Sequence, residues 1–123
     1  MSTRKVIRPE ATGPFSPGLV VDGWLYLAGQ GGFDPETGEL GPDIASQTAQ
    51  TIENVAALLK EAGCSLKDVV SCLVHITDAS HFAELNRVYE SYFESPRPVR
   101  TTVVADLVVS GMLVEITVIA RPE

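Results

Sequence analysis

Leu113-Val114-Glu115-Ile116-Thr117-Val118-Ile119-Ala120 alternates strictly along its length. Val114, Ile116, Val118 and Ala120 fall on one side and are wholly apolar, whereas Glu115 and Thr117 share the other side with Leu113 and Ile119. A period of two with β-branched residues predicts a strand whose apolar face lies under helices. The second face is too apolar for open water and is not a plain core, which points to a subunit interface. Just upstream, Pro98-Val99-Arg100-Thr101-Thr102 predicts another strand. Each of these two strands carries one full charge among apolar neighbours, Arg100 and Glu115. A charge in such a place is costly unless it is paired or meets a ligand. An arginine can grip a carboxylate with two parallel hydrogen bonds. A glutamate can pair with that arginine, position a water or move a proton.

The remaining elements follow from punctuation and periodicity. Val6 to Pro9 predicts a short strand, and Ala11 to Gly18 a loop holding two prolines and two glycines. Leu19-Val20-Val21 and Trp24 to Leu27 flank Asp22-Gly23, the signature of a tight β-hairpin. A second loop runs from Gly29 to Pro42. Asp43 to Ala62 predicts a helix with Ala45, Thr48, Ile52, Val55 and Leu59 as its buried stripe. Asp43 suits its N-cap, and Gly63 suits the position just past its end. Val69 to Ile76 predicts an interior strand. Asp78 or Ser80 then caps a second helix ending near Phe93, with Phe82, Leu85, Val88 or Tyr89, and Tyr92 inward. The order β-β-β-α-β-α-β-β predicts one α+β domain over residues 1–123, with both helices on one sheet face.

The composition bounds the function. The chain has 123 residues, 45% hydrophobic and 20% charged, a globular balance. Nine basic against sixteen acidic residues give a net charge of −7. Such a surface repels phosphate backbones and argues against a nucleic-acid partner. No apolar run reaches membrane-span length, and no apolar segment follows Met1-Ser2-Thr3-Arg4-Lys5. The expectation is a cytoplasmic protein without a membrane partner. Cys64 and Cys72 form no CxxC and read as free thiols.

Other motifs carry little chemistry. Gly29-Gln30-Gly31-Gly32 lacks the Gly-Lys-Ser/Thr ending of a phosphate loop and reads as a close backbone approach. His75 and His81 have no acid or cysteine at metal-ligand spacing. His75 reads as a half-buried strand residue with a satisfied ring. No GxSxG or defensible Ser-His-Asp set occurs. Asn86 lies between core positions of the second helix, as a solvent-facing or capping amide or one presented to a cleft.

The whole pattern resembles the RidA family, also called YjgF or L-PSP. Gly13-Pro14-Phe15-Ser16-Pro17-Gly18 resembles its first loop, and Leu27-Ala28-Gly29-Gln30 with Asp34-Pro35-Glu36-Thr37-Gly38 its second. Gln50 to Val55 and Phe82 to Tyr89 resemble its helices. Pro98-Val99-Arg100 and Val114-Glu115-Ile116 resemble its signatures near the C-terminus. The resemblance implies a chorismate-mutase-like fold and a homotrimer with clefts between subunits. It implies an enamine/imine deaminase of metabolite damage control, with no cofactor or metal. Its substrates would be small carboxylate-bearing imines such as 2-aminoacrylate and its tautomers, converted to 2-keto acids and ammonia. Arg100 would hold the substrate carboxylate, Glu115 would hold the attacking water and shuttle its proton, the backbone at Gly29, Gln30 and Gly31 would bind polar substrate atoms, and Asn86 would shape the cleft.

Three positions depart from the family pattern. Phe15 stands for a tyrosine, Ala28 for a serine and Thr102 for a cysteine. Val108 to Met112 also differs from the usual run before the last strand. The carboxylate clamp and water site are retained, and the departures imply altered selectivity, toward a substrate larger or less polar than 2-aminoacrylate. Two other readings stay open: a non-catalytic trimer binding 2-keto acids, and a dedicated C–N hydrolase acting on an aminomuconate-like acid.

Overall fold

A computed structural model describes residues 3–123. Strands β1 (Lys5–Ile7), β2 (Gly18–Val21) and β3 (Trp24–Leu27) form an antiparallel meander. Asp22 and Gly23 both have positive φ, 51° and 82°, the conformation a two-residue hairpin turn demands. β1 is shorter than the sequence predicts because Arg8 turns the chain with φ 57°. Helix α1 (Ile44–Glu61) starts on a capping box: the Asp43 carboxylate accepts from the Ser46 N–H, and the Ser46 hydroxyl accepts from the Asp43 N–H. It ends at Ala62, with Gly63 following at φ 77°.

Strand β4 (Val69–Ile76) leads through a short 3₁₀ turn into α2 (Phe82–Tyr92), then β5 (Val99–Val104) and β6 (Val114–Ala120). Asp78 caps the 3₁₀ turn rather than α2 itself, accepting from the Ser80 N–H. The strands order as β1-β2-β3-β6-β4-β5, and β4 with β5 is the parallel pair. A parallel pair needs a long crossover, which α2 supplies.

The core lies between the helices and one sheet face. α1 buries Ile52, Val55, Leu58 and Leu59, and β6 buries Val114, Ile116, Val118 and Ala120, the alternation read from the sequence. The stripe on α1 is wider than Ala45, Thr48, Ile52, Val55 and Leu59: Ala45 is only half-buried, while Gln47, Thr51 and Leu58 are inside. Phe82 also departs from expectation. It is 46% exposed, because the first turn of α2 overhangs the edge strand β5 instead of the core.

The other sheet face carries no helix. Tyr26, Leu73 and Val103 lie exposed on it, with Glu115, Thr117 and Ile119 half-buried among them. β5 is an edge strand six residues long, and Val99 and Val104 on it are exposed.

Candidate active site

One cleft is built where β3 ends. The chain leaves β3, and Gln30 rejoins the sheet by exchanging both backbone hydrogen bonds with Ile116, each 2.9 Å. That detour lays Gly29 against the Glu115 side chain. A Cβ at Gly29 would stand 2.7 Å from Glu115 Cδ and 2.9 Å from its Oε1, closer than side chains tolerate. Gly32 is constrained from behind, where a Cβ would stand 2.7 Å from the Gln47 carbonyl oxygen of α1. Backbone approach is thus what this glycine run provides.

Two amides on α1 hold the walls. Asn54 Nδ2 donates to the carbonyls of Gly31 (2.9 Å) and Phe33 (2.8 Å), and Gln50 orients it by donating to Asn54 Oδ1. Gln47, only 2% exposed, donates from Nε2 to the carbonyls of Gly41 (2.9 Å) and Gly111 (3.0 Å). Its Oε1 accepts from the Leu113 N–H at 2.8 Å. A single buried amide therefore ties both flanking loops to the start of β6. Sequence reading did not single out Gln47 or Asn54. The signal available was a polar residue at a core position of an amphipathic helix, which demands a partner.

The resulting cleft has a volume of about 480 Å³ and is lined by Phe15, Gly29, Gln30, Gly31 and Glu115 among others. Ala28 lies beside it, its N–H donating to the Pro17 carbonyl. Gln30 Nε2 is turned back to the Ala28 carbonyl at 3.0 Å. Among the described residues the Glu115 carboxylate has neither an ion-pair nor a hydrogen-bond partner.

Arg100, Asn86 and Thr102 form a second cluster elsewhere. Arg100 stands opposite Cys72 in the β4–β5 register, and Glu115 stands opposite His75 in the β4–β6 register. Cys72 and His75 are three residues apart, so their side chains point to opposite faces of the sheet. The ion pair between Arg100 and Glu115 entertained from sequence is therefore not formed within one chain. Arg100 lies on the helix-bearing side, its Cζ 4.7 Å from the Tyr89 ring centroid and 5.6 Å from that of Phe82. Its Nη2 donates to Asn86 Oδ1 at 2.6 Å, so Asn86 is neither free in solvent nor a cap. Stacking and one amide bond hold the guanidinium, and no carboxylate lies within ion-pair distance of it among the described residues. Thr102 lies two residues along, its Oγ1 buried without a partner among the described residues.

Behind Arg100, burial pushes the Cys72 thiol up and the Tyr89 phenol well up. Both cysteines are free. His75 is half-buried as expected, but its Nδ1 lacks the partner expected for it among the described residues. Among those residues no group of three or more His, Cys, Asp or Glu could hold a metal ion, and no helix is long and apolar enough to cross a membrane.

A six-stranded sheet with two helices on one face, and an unpaired carboxylate in a glycine-walled cleft, defines the class: a small α+β protein with a cleft of small-ligand size. The chain belongs to the Ribonuc_L-PSP family, the RidA/YjgF group, whose sequence model, described as Endoribonuclease L-PSP, matches residues 6–122. It is 41% identical over 116 residues to a RutC family protein of Pyrococcus abyssi, covering 94% of this chain and 91% of that one. It is 38% identical over 121 residues to the 2-iminobutanoate/2-iminopropanoate deaminase of Bos taurus, covering 98% and 87% of the two chains. The crystal structure of RidA from the Antarctic bacterium Psychrobacter superposes with a TM-score of 0.87 at 38% identity, covering 99% of this chain and 100% of that one.

Proposed function

We propose that the protein is an imine/enamine deaminase that hydrolyses 2-imino acids to 2-keto acids and ammonia, at sites shared between the subunits of a homotrimer. The observation that carries this reading is the unpartnered Glu115 carboxylate in the cleft beside Gly29. The deaminase named among the relatives supports the reaction class. The opposite-face placement of Arg100 and Glu115 supports a shared site, because one ligand can reach both only if they come from different copies. The helix-free face with Tyr26, Leu73 and Val103, and the open edge of β5, offer surfaces for that assembly.

The chemistry follows from the groups present. Arg100 of one copy grips the substrate carboxylate, which fixes the imine carbon over Glu115 of the next. Glu115 accepts a proton from water as its oxygen attacks the C=N carbon, giving a tetrahedral carbinolamine. The same proton passes to the nitrogen, completing the neutral carbinolamine. Glu115 then carries the hydroxyl proton to that nitrogen as the C–N bond breaks, so ammonia leaves and the C=O of the 2-keto acid forms. Phe15 and Ala28, which supply no hydroxyl, alter the selectivity of the site rather than its reaction.

The test is hydrolysis of 2-iminopropanoate generated in situ by an amino-acid oxidase, with semicarbazide trapping as readout. Arg100→Ala should abolish 2-keto acid binding while the protein stays folded. Glu115→Gln should lower turnover by about 10²–10⁴-fold with binding largely kept. Unchanged turnover in Glu115→Gln would remove the glutamate from the mechanism, and a monomer in sedimentation equilibrium would remove the shared site.

A further inference from the structure

We infer that the cleft selects 2-imino acids with a large apolar side chain, branched aliphatic or aromatic, over the alanine-derived imine. The inference rests on the 2-imino acid reading for the head group and on the cleft itself for the side chain. The lining of the cleft is of two kinds. Glu115 and the Gly29–Gly31 backbone supply its polar groups. Phe15, Phe33, Leu58, Met112, Val108 and Val109 supply apolar surface.

The polar side chains that share this lining with Glu115 are already occupied. Arg8 is paired with Glu61 at 2.5 Å. The Asn54 amide is spent on Gly31, Phe33 and Gln50. Gln30 is folded back on Ala28. What remains for a ligand is apolar surface, which a short polar side chain would leave uncovered. Phe15 is 69% exposed and Val108 fully exposed, so the rim holds apolar area that a bound side chain would remove from water. Phe15 also presents an apolar ring where the family pattern has a phenol.

Discrimination by apolar walls is modest per group, about 10–200-fold for one methylene in a well-fitted pocket. The open rim here places the expectation at the low end. The imine derived from leucine or phenylalanine should show kcat/KM about tenfold or more above that of 2-iminopropanoate. In Val108→Ser/Val109→Ser, the ratio of leucine-derived to alanine-derived kcat/KM should fall by roughly fivefold or more. Both valines are exposed, so the variant should fold. Calorimetric binding of 4-methyl-2-oxopentanoate against pyruvate, in wild type and variant, reads the same preference without turnover. If no imine is hydrolysed but the larger keto acid still binds more tightly and loses that advantage in the variant, the deaminase reading fails and the apolar subsite stands. Equal or tighter handling of the smaller ligands, or a ratio unmoved by the double substitution, would overturn the inference. So would dissociation of the assembly by Val108→Ser/Val109→Ser, since the valines would then cover a neighbouring copy instead of a ligand.

Discussion

Gly29→Ala isolates the contact on which the proposed chemistry depends. The added methyl would start 2.7 Å from Glu115 Cδ, where ordinary contact begins at 3.4 Å, so the carboxylate must recede by about 0.7 Å. The obstacle is the flexible end of a side chain, not backbone, so the fold should absorb it. Alanine also restricts the unfolded chain, worth about 0.4–1 kcal/mol in favour of folding. Net stability should thus stay within about 1 kcal/mol of wild type in urea denaturation. Activity should respond differently, because a misplacement near 1 Å at a reacting centre costs about 10²-fold. The expected loss in imine hydrolysis is roughly 10–100-fold, or about 1.4–2.7 kcal/mol in the barrier. It should fall on kcat, since the carboxylate grip assigned to Arg100 is untouched. The assay is semicarbazide trapping beside calorimetric binding of pyruvate. Full activity in a folded Gly29→Ala protein would show that Glu115 does not act from the position beside Gly29.

Gln47→Leu keeps the volume of a buried side chain and removes three hydrogen bonds, to Gly41, Gly111 and Leu113. At about 1 kcal/mol each, partly recovered by water at the two loop carbonyls, the loss should be about 2–3 kcal/mol in chemical denaturation. A loss under about 0.5 kcal/mol would mean that the amide does not tie the loops together. The thiols give a separate check. Burial pushes both above the ordinary cysteine value, which disfavours the reactive thiolate, and Cys72 is the more enclosed. Iodoacetamide at pH 8 should label Cys64 slowly and Cys72 hardly at all until urea is added, as read by mass spectrometry. Equal native labelling of the two would contradict the packing of Cys72 behind Arg100.

Much of this molecule is local and therefore legible from residues alone. The Asp22-Gly23 turn, the Asp43 cap, the Gly63 stop and the alternation of β6 each depend on a few neighbouring residues. They set the element order and assign the buried face of β6 before any packing is known. Gln47 was not legible in this way, because its partners lie on loops 6 and 64 residues distant along the chain. Phe82 has the spacing of a core residue, yet α2 overhangs the edge of the sheet there and the ring meets Arg100 instead.

The sequence by itself determined which two charges merit attention and which elements carry them. Alternation and punctuation are properties of short segments, and Arg100 and Glu115 are conspicuous in theirs. Only the tertiary structure decided that the two do not meet in one chain. That outcome depends on the registers of β4 with β5 and with β6, where Arg100 aligns with Cys72 and Glu115 with His75, an odd number of residues apart. Register is set by long-range pairing, and one residue of slip reverses the face, so no local pattern contains it.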